Sequence, residues 1–166
     1  MVIWITGRPG AGKTTIANLL LKQLRDQAHQ SLLLDGDALR NALQINTYDI
    51  DSRKALALTY ARLAKMFSEQ GAIAICATVS MFDSVRQWNA DNIKDYFEVY
   101  VKVSEEVLQQ RDQKNLYSEG AKGTQINVIG FDIAIEEPKN PDLVLCNDGH
   151  VTAESLVNQI LEKITL

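Results

Sequence analysis

Short apolar runs alternate with longer amphipathic stretches along the whole chain. The runs are rich in Val, Ile, Leu and aromatic residues and lack strict alternation of polar and apolar positions. Both properties are typical of strands that are covered on both faces. They predict five parallel strands, at residues 2–6, 31–34, 72–78, 97–103 and 143–146.

The stretches between these runs have a helical period. In one of them Leu56, Tyr60, Leu63 and Phe67 fall on one face of a helix, and Gly71 follows where a C-terminal cap belongs. Strands that alternate with helices predict right-handed crossovers onto a parallel sheet, and hence an α/β three-layer α/β/α sandwich. The predicted helices are residues 13–27, 53–69, 83–94, 104–113 and 152–163.

Two segments depart from this alternation. Residues 114–141 contain three glycines and two prolines and show no clear period. A loop of this length in a compact domain is usually functional, so we expect a lid or substrate loop at about residues 111–138. Residues 45–52 are expected to form a short polar link. No repeat or linker divides the chain, and 166 residues fit one domain, residues 1–166.

Composition narrows the class of partner. Hydrophobic residues make up 46% and charged residues 23% of the chain, which excludes disordered and fibrous classes. A net charge of −4 provides no field for holding a polyanion, so we expect no nucleic-acid partner. No apolar run is long enough to span a membrane, and the opening MVIWITG leaves no room for a signal peptide. We expect a cytoplasmic protein in which Cys76 and Cys146 are reduced thiols of the core.

Residues 7–14, GRPGAGKT, match the pattern G-x-x-x-x-G-K-[ST] and lie between a predicted strand and a predicted helix. Glycines let backbone N–H groups converge on phosphate oxygens, and the positive end of the helix favours an anion. A glycine-rich turn that only caps a helix would need neither Lys13 nor two threonines. The motif predicts a P-loop hydrolase or kinase fold that binds ATP and Mg²⁺. The predicted nucleotide-binding residues are Gly7, Arg8, Pro9, Gly10, Ala11, Gly12, Lys13, Thr14 and Thr15, with Lys13 on the β- and γ-phosphates and the Thr14 hydroxyl on Mg²⁺.

A phosphate-binding loop is shared by kinases, motor ATPases and GTPases. The apolar run at residues 72–76 is followed by ATVS, without the carboxylate that an ATPase places there. Residues 92–95, NIKD, have the wrong spacing for the guanine-reading N-K-x-D pattern. Both absences favour a kinase.

Two carboxylates follow the second predicted strand, in the segment LDGDALR at residues 34–40. Ligands bind at the carboxyl ends of parallel strands, so Asp35 and Asp37 should face the phosphate loop. A carboxylate there can accept a proton or hold Mg²⁺ through water, and Arg40 can bind an acceptor phosphate. In the structural alternative, Asp-Gly forms a turn and Asp37 caps the next helix.

Further cations follow strand ends or loops and could converge on a second anion. Any one of them alone is more often a solvated surface charge. The candidates are Arg53, Arg86, Arg111 and Lys114.

Taken together, these segments resemble the adenylylsulfate (APS) kinases over nearly the whole chain. The resemblance rests on the phosphate loop, LDGDALR at 34–40, AKMF at 64–67, EVYV at 98–101, RDQKNLY at 111–117 and EEPKNPDLVL at 136–145. It implies transfer of the γ-phosphoryl of ATP to the ribose 3′-hydroxyl of APS, giving PAPS. It also implies a possible homodimer, because the family often forms dimers.

The resemblance further implies roles for single residues. Asp35 matches the residue that takes the proton of the acceptor hydroxyl or organises Mg²⁺ with Thr14. Ser80 matches a serine assigned as a phosphoserine intermediate; direct in-line transfer needs only positioning and charge stabilisation, so we expect Ser80 to contact the acceptor. Arg111 and Lys114 belong to the lid that closes over ATP and the acceptor, and Arg111 is thereby a further nucleotide-binding candidate. The catalytic candidates are therefore Asp35, Lys13 and Ser80.

Departures from the family pattern are confined to the acceptor side. Tyr48 and Val128 stand where the family has two phenylalanines around adenine, and Leu56 stands where it has an asparagine. Losing one stacking ring weakens base binding by about 1 kcal/mol. The full set of acceptor-binding candidates is Asp35, Asp37, Arg40, Tyr48, Arg53, Leu56, Val79, Ser80, Arg86, Lys114, Asn127 and Val128.

These departures do not decide which nucleotide is the acceptor. APS is the first candidate, and cytidine diphosphoramidate, the acceptor of a related branch in capsule biosynthesis, is the second. A catalytically inactive ATP-binding regulatory module is an alternative from another class. A small-metabolite kinase of the gluconate or shikimate type would share the phosphate loop but neither RDQKNLY nor LDGDALR.

Overall fold

A parallel five-stranded sheet forms the centre of the part of the chain that the computed structural model describes, residues 1–112 and 134–165. The strand order is β2-β3-β1-β4-β5, so the strand that leads into the phosphate loop is central. The predicted strands are confirmed: two match at both ends, and the ends of the other three shift by one residue. They are β1 (Val2–Thr6), β2 (Ser31–Asp35), β3 (Ile73–Thr78), β4 (Tyr96–Lys102) and β5 (Leu143–Cys146).

Six helices accompany the sheet within the described residues: α1 (Lys13–Asp26), α2 (Gly36–Ala42), α3 (Ile50–Glu69), α4 (Asp83–Asn92), α5 (Glu105–Arg111) and α6 (Ala153–Lys163). Helix α2 is not among the helices predicted from the sequence; only the structural alternative, in which Asp37 caps the next helix, allows for one. Helix α3 begins three residues before its predicted start, so the expected polar link is shorter than 45–52. Asp49 causes this early start, since its side chain caps the helix and accepts a hydrogen bond from the Ser52 N–H.

Two separate hydrophobic cores cover the two faces of the sheet. Ile3 and Ile5 of β1 point to one face, where α1, α5 and α6 pack. Val2 and Trp4 point to the other face, where α3 and α4 pack. This alternation confirms the predicted three-layer α/β/α sandwich.

The two cysteines lie in different environments. Both are unpaired thiols, and Cys76 in β3 is buried. Cys146 is exposed, so its predicted place in the core is wrong. Strand β5 is an edge strand, where only one of its four residues is buried.

The carboxyl ends of the three strands β2, β3 and β1 meet at one edge of the sheet. Thr6, the last residue of β1, pairs with Thr78 of β3, and Asp35 of β2 pairs with Ala77. Three chain segments therefore leave the sheet side by side: the phosphate loop, the start of α2, and the loop that carries Ser80. None of the helices in the described ranges is both long enough and apolar enough to cross a membrane.

Candidate active site

The phosphate loop connects β1 to α1 and requires glycine at its two ends. Gly12 precedes α1 with φ 91°, and a Cβ there would lie 2.6 Å from Asn147 Nδ2. A Cβ on Gly7 would lie 2.6 Å from the Val101 carbonyl oxygen. Helix α1 then begins at Lys13 without a side-chain cap. The chain thus presents a backbone cradle and a helix N-terminus, which suit an anionic phosphate.

Lys13 is the cation of this cradle and is buried, with 8% of its surface exposed. Its Nζ donates a hydrogen bond of 2.8 Å to the Arg8 carbonyl oxygen, which holds the ammonium over the loop. Burial lowers the pKa of Lys13 to about 8, and the nearby carboxylates of Asp37 and Asp35 oppose this shift. A phosphate next to Lys13 would restore its charge.

Thr14 and Asp35 form a pair of oxygen ligands beside Lys13. Thr14 Oγ1 donates a hydrogen bond of 2.8 Å to Asp35 Oδ2. Asp35 Oδ1 accepts hydrogen bonds of 3.1 Å from the N–H groups of Asp37 and Ala38, so Asp35 caps α2. The structural alternative assigned this cap to Asp37 and is wrong on that point. Asp37 lies in the first turn of the short helix and lines the same cavity.

These residues fit a magnesium nucleotide. Mg²⁺ prefers hard oxygen ligands and is usually held by one or two protein oxygens together with phosphates and water. Thr14 and Asp35 supply such oxygens. Across residues 1–112 and 134–165, no group of three or more His, Cys, Asp or Glu side chains is arranged to hold a metal ion. The phosphates would therefore complete the coordination.

Two arginines surround the ring of Tyr48. The Arg40 guanidinium donates hydrogen bonds to the carbonyl oxygens of Ile45 (3.3 Å) and Thr47 (2.6 Å), and its central carbon lies 4.4 Å from the ring centre. Arg53 Nε donates to the Tyr48 carbonyl oxygen at 2.7 Å, with its central carbon 5.2 Å from the same ring. Tyr48 is 48% exposed, so its ring offers a surface to a flat ligand.

The opposite wall is formed by α3 and by the loop after β3. Leu56 of α3 and Ser80 are each 4% exposed. Ser80 Oγ is buried and has no hydrogen-bond partner among the described residues. Tyr60, which the sequence analysis did not select, donates from its hydroxyl to the Gly36 carbonyl oxygen at 3.1 Å and supports the start of α2. The sequence could have identified Tyr60 by its position on the same face of α3 as Leu56.

A single cavity of about 990 Å³ connects the nucleotide cradle with these walls. It brings together most of the predicted site residues. Those that line it are Pro9, Gly10, Gly12, Lys13, Thr14, Thr15, Asp35, Asp37, Arg40, Tyr48, Arg53, Leu56, Val79, Ser80 and Arg111.

Arg111 and Asn147 support the phosphate loop from its carbonyl side. The Arg111 guanidinium donates to the carbonyl oxygens of Gly10 (3.2 Å) and Asn147 (2.7 Å). The Asn147 side-chain amide donates to the Ala11 carbonyl oxygen at 2.8 Å. The sequence analysis missed Asn147 as a site residue. Its place directly after β5, at the carboxyl edge of the sheet, is the signal that could have identified it.

Arg86 is the predicted acceptor residue that the structure places elsewhere. It does not line the cavity, and its guanidinium bonds to Asp83, Glu98 and the Glu136 backbone between α4 and β4. The sequence could not show this, because two of the three partners of Arg86, Glu98 and Glu136, are distant along the chain. Lys114, Asn127, Val128 and most of the expected lid at 111–138 lie outside the described residues.

Three features together define a P-loop phosphotransferase. They are the central strand β1 that leads into the phosphate loop, the backbone cradle with Lys13, and the Thr14–Asp35 pair. The family model of adenylylsulphate kinase matches residues 1–146. The chain belongs to that family, whose enzymes transfer a phosphoryl group from ATP, with Mg²⁺, to an alcohol group.

Relatives of this family match the chain over nearly its whole length. A cytidine diphosphoramidate kinase of Campylobacter jejuni is 38% identical over 165 residues, which cover 99% of this chain and 96% of that protein. A probable adenylyl-sulfate kinase of Bacillus subtilis is 35% identical, covering 97% of this chain and 83% of that protein. The APS kinase of Mycobacterium tuberculosis, solved in complex with AMPPNP and APS, has a TM-score of 0.89 and 25% identity, covering 98% and 95% of the two chains. These relatives support an active kinase and not the inactive module.

Proposed function

We propose that this enzyme transfers the γ-phosphoryl of ATP to the ribose 3′-hydroxyl of a nucleotide. One observation carries the proposal: the Thr14–Asp35 pair lies in the same cavity as the arginine-flanked ring of Tyr48. A cavity of about 990 Å³ has room for two small ligands, since a drug-sized ligand occupies a site of ~300–1,000 Å³.

The donor side of the proposal rests on the phosphate loop. The loop backbone and Lys13 would bind the β- and γ-phosphates of ATP, with Arg111 on the nucleotide side. Thr14 would hold Mg²⁺ directly and Asp35 would hold it through a bound water, which leaves Asp35 Oδ2 free to accept a proton; the ion, when bound, neutralises the charge that develops on the phosphates. Phosphoryl transfer needs mainly positioning and charge stabilisation, and these are what this arrangement of donors supplies.

Asp35 is the proposed proton acceptor. Its Oδ1 is already occupied by two backbone N–H groups, whereas Oδ2 faces Thr14 and the cavity. As the ribose oxygen bonds to the γ-phosphorus, the bond from that phosphorus to the β–γ bridging oxygen breaks. The hydroxyl proton passes to Asp35 Oδ2, and ADP leaves.

The acceptor side would bind the second nucleotide. Its base would stack on Tyr48, while Arg40 and Arg53, together with Asp37, surround its phosphates and ribose. The unpaired Ser80 hydroxyl, beside Val79, is a hydrogen-bonding group for the acceptor. This role requires no phosphoserine intermediate.

Adenylyl sulfate is the first acceptor we propose, because adenylyl-sulfate kinases recur among the relatives and Tyr48 provides a stacking ring. Cytidine diphosphoramidate is the second. Two observations favour it. The alignment with the Campylobacter kinase covers 99% of this chain and 96% of that protein, and the buried Leu56 side chain is apolar where the family pattern has an asparagine.

A coupled ADP-release assay tests both acceptors. Comparing kcat/KM for adenylyl sulfate and cytidine diphosphoramidate assigns the substrate, and turnover with neither nucleotide would refute the proposal. Leu56→Asn should shift the ratio of the two kcat/KM values towards adenylyl sulfate. A matched Leu58→Asn change on α3, outside the cavity, should leave the ratio unchanged.

We also propose that residues 1–166 act as one domain with a lid at about 111–138, as a cytoplasmic homodimer. Light scattering coupled to size-exclusion chromatography tests the dimer. A monomer at micromolar concentration would contradict it.

A further inference from the structure

Arg86 lies buried behind the acceptor wall, with 7% of its surface exposed. It belongs to α4, the helix that follows the Ser80 loop, and it reaches towards β4. Its Nε lies 3.5 Å from Glu98 Oε1 of β4, a carboxylate that is itself buried. A second nitrogen of the guanidinium pairs with Asp83 at the start of α4. A buried cation with two carboxylates is too far from solvent to serve as an ordinary surface charge.

The same guanidinium holds a third segment, residues 134–142. It donates a hydrogen bond of 2.7 Å to the Glu136 carbonyl oxygen. Glu136 in turn bonds to both sides of the junction between the Ser80 loop and α4: its N–H donates to the Met81 carbonyl oxygen of the loop at 3.3 Å, and its carboxylate accepts from the N–H of Asp83, the first residue of α4. Arg86 and Glu136 thus fasten this segment to the end of the Ser80 loop.

The loop that carries Ser80 is therefore held at two successive carbonyl groups. Thr6 Oγ1, at the end of β1, donates to the Ser80 carbonyl oxygen at 3.3 Å. The Glu136 N–H holds the carbonyl of the next residue, Met81. Next to these two fixed points, the unpaired Ser80 hydroxyl has a defined position in the cavity wall.

We infer that Arg86 is a positioning residue: through Glu136 it fixes the Met81 backbone and so places the Ser80 side of the cavity for the acceptor. It touches neither substrate. A displacement of about 1 Å in a positioned group can cost ~100-fold in rate, so this indirect role is sufficient to affect turnover. The inference rests on the proposed function, because it assigns the Ser80 wall to the acceptor.

The steady-state kinetics of Arg86→Gln test this role. We expect KM for the acceptor to rise about tenfold and kcat to fall, because the Ser80 wall is no longer fixed. KM for ATP should stay within twofold, because the phosphate loop is not part of this network. If Arg86 only stabilised the fold, Arg86→Gln would lower the melting temperature without raising KM for the acceptor more than KM for ATP. Arg62→Gln, an exposed arginine of α3 whose guanidinium lies 5.6 Å from the Trp88 ring, is the matched control.

A second variant keeps the test valid if Arg86→Gln does not fold. Glu136→Ala removes the partly exposed carboxylate that accepts from the Asp83 N–H, and so loosens the segment whose backbone joins Arg86 to the Met81 carbonyl, while the buried Arg86–Glu98 pair stays intact. It should raise acceptor KM in the same direction, and the double variant should be no worse than Arg86→Gln alone, since both act on one path. Unchanged acceptor KM in both folded single variants, or strictly additive effects, would overturn the inference. Lack of turnover in the wild-type enzyme would instead refute the proposed function.

Discussion

Thr14 Oγ1 donates a hydrogen bond of 2.8 Å to Asp35 Oδ2. This bond joins the first turn of α1 to the last residue of β2. The two residues come from neighbouring segments at the carboxyl edge of the sheet, with β3 between their strands. One carboxylate oxygen caps α2 while the other faces the phosphate site. Asp35 therefore has a structural role and a chemical one, and variants can separate them.

Asp35→Asn should remove catalysis and keep the fold. The amide oxygen can still accept the two N–H groups of α2, so the free energy of unfolding should change by less than about 1 kcal/mol. The proton acceptor is lost, so kcat should fall by at least ~100-fold. ATP binding measured by calorimetry should persist, because Lys13 and the loop backbone are unchanged.

Asp35→Ala separates the two roles. It removes the cap as well, so we expect an additional loss of about 1 kcal/mol in stability, measured by urea unfolding, with a kcat as low as that of Asp35→Asn. Near-normal kcat in the asparagine variant would exclude Asp35 as the base.

ATP affinity should depend on pH through Lys13. The pKa of this lysine is lowered to about 8 by burial, so the free enzyme loses the charge as pH rises through 8. Because the neutral amine cannot attract phosphate, the dissociation constant for ATP should rise by up to about tenfold per pH unit above that value. Binding at pH 8.5 should take up protons, which calorimetry in buffers of different ionisation enthalpy detects.

Lys13→Arg is the matched variant for this prediction. A guanidinium keeps its charge throughout this range, so proton uptake should disappear. A dissociation constant for wild-type enzyme that is flat from pH 7 to 9.5 would contradict the prediction.

The residues that could be predicted from sequence are those whose chemistry depends on local spacing. The phosphate loop needs its glycines, lysine and threonine in consecutive positions, and Asp35 follows directly from the end of a strand. Arg86 could not be assigned in this way. Its partners Glu98 and Glu136 lie 12 and 50 positions away, and only the packing of α4 on β4 shows that it is buried.

The dependence on contacts between distant segments also explains two smaller differences between the prediction and the structure. An edge strand such as β5 has the composition of a buried strand, so the exposure of Cys146 depends on strand order, which a run of apolar residues does not encode. Asp35 and not Asp37 caps α2, because the short helix begins at Gly36, two residues earlier than a cap at Asp37 would place its start.

Asn147→Ala should weaken ATP binding. This variant loses the 2.8 Å hydrogen bond to the Ala11 carbonyl oxygen, which supports the turn of the phosphate loop. A hydrogen bond of this kind contributes about 1 kcal/mol, so KM for ATP should rise about fivefold with little change in acceptor KM. Asn18→Ala removes an exposed amide that bonds to the Thr14 carbonyl oxygen within α1, and it serves as the control. An increase confined to acceptor KM would contradict this role of Asn147.

Folding stability should decrease with rising pH through Glu98. Burial raises the pKa of this glutamate to about 7; Arg86 opposes the shift, and Asp142 and Asp83 reinforce it. In the unfolded chain the carboxyl titrates near its ordinary value, about 4.3. The folded state therefore binds more protons between these two values, so the contribution of Glu98 is complete below about pH 4.3 and is lost as pH rises through 7.

Glu98→Gln tests this dependence, because glutamine has the same shape and does not titrate. The free energy of unfolding of the wild type minus that of the variant should fall between pH 5 and 7.5, as measured by urea unfolding at several pH values. A difference that stays constant over this range would show that the Glu98 carboxyl titrates alike in both states. A difference that rises with pH would show that the attraction of Arg86 outweighs burial.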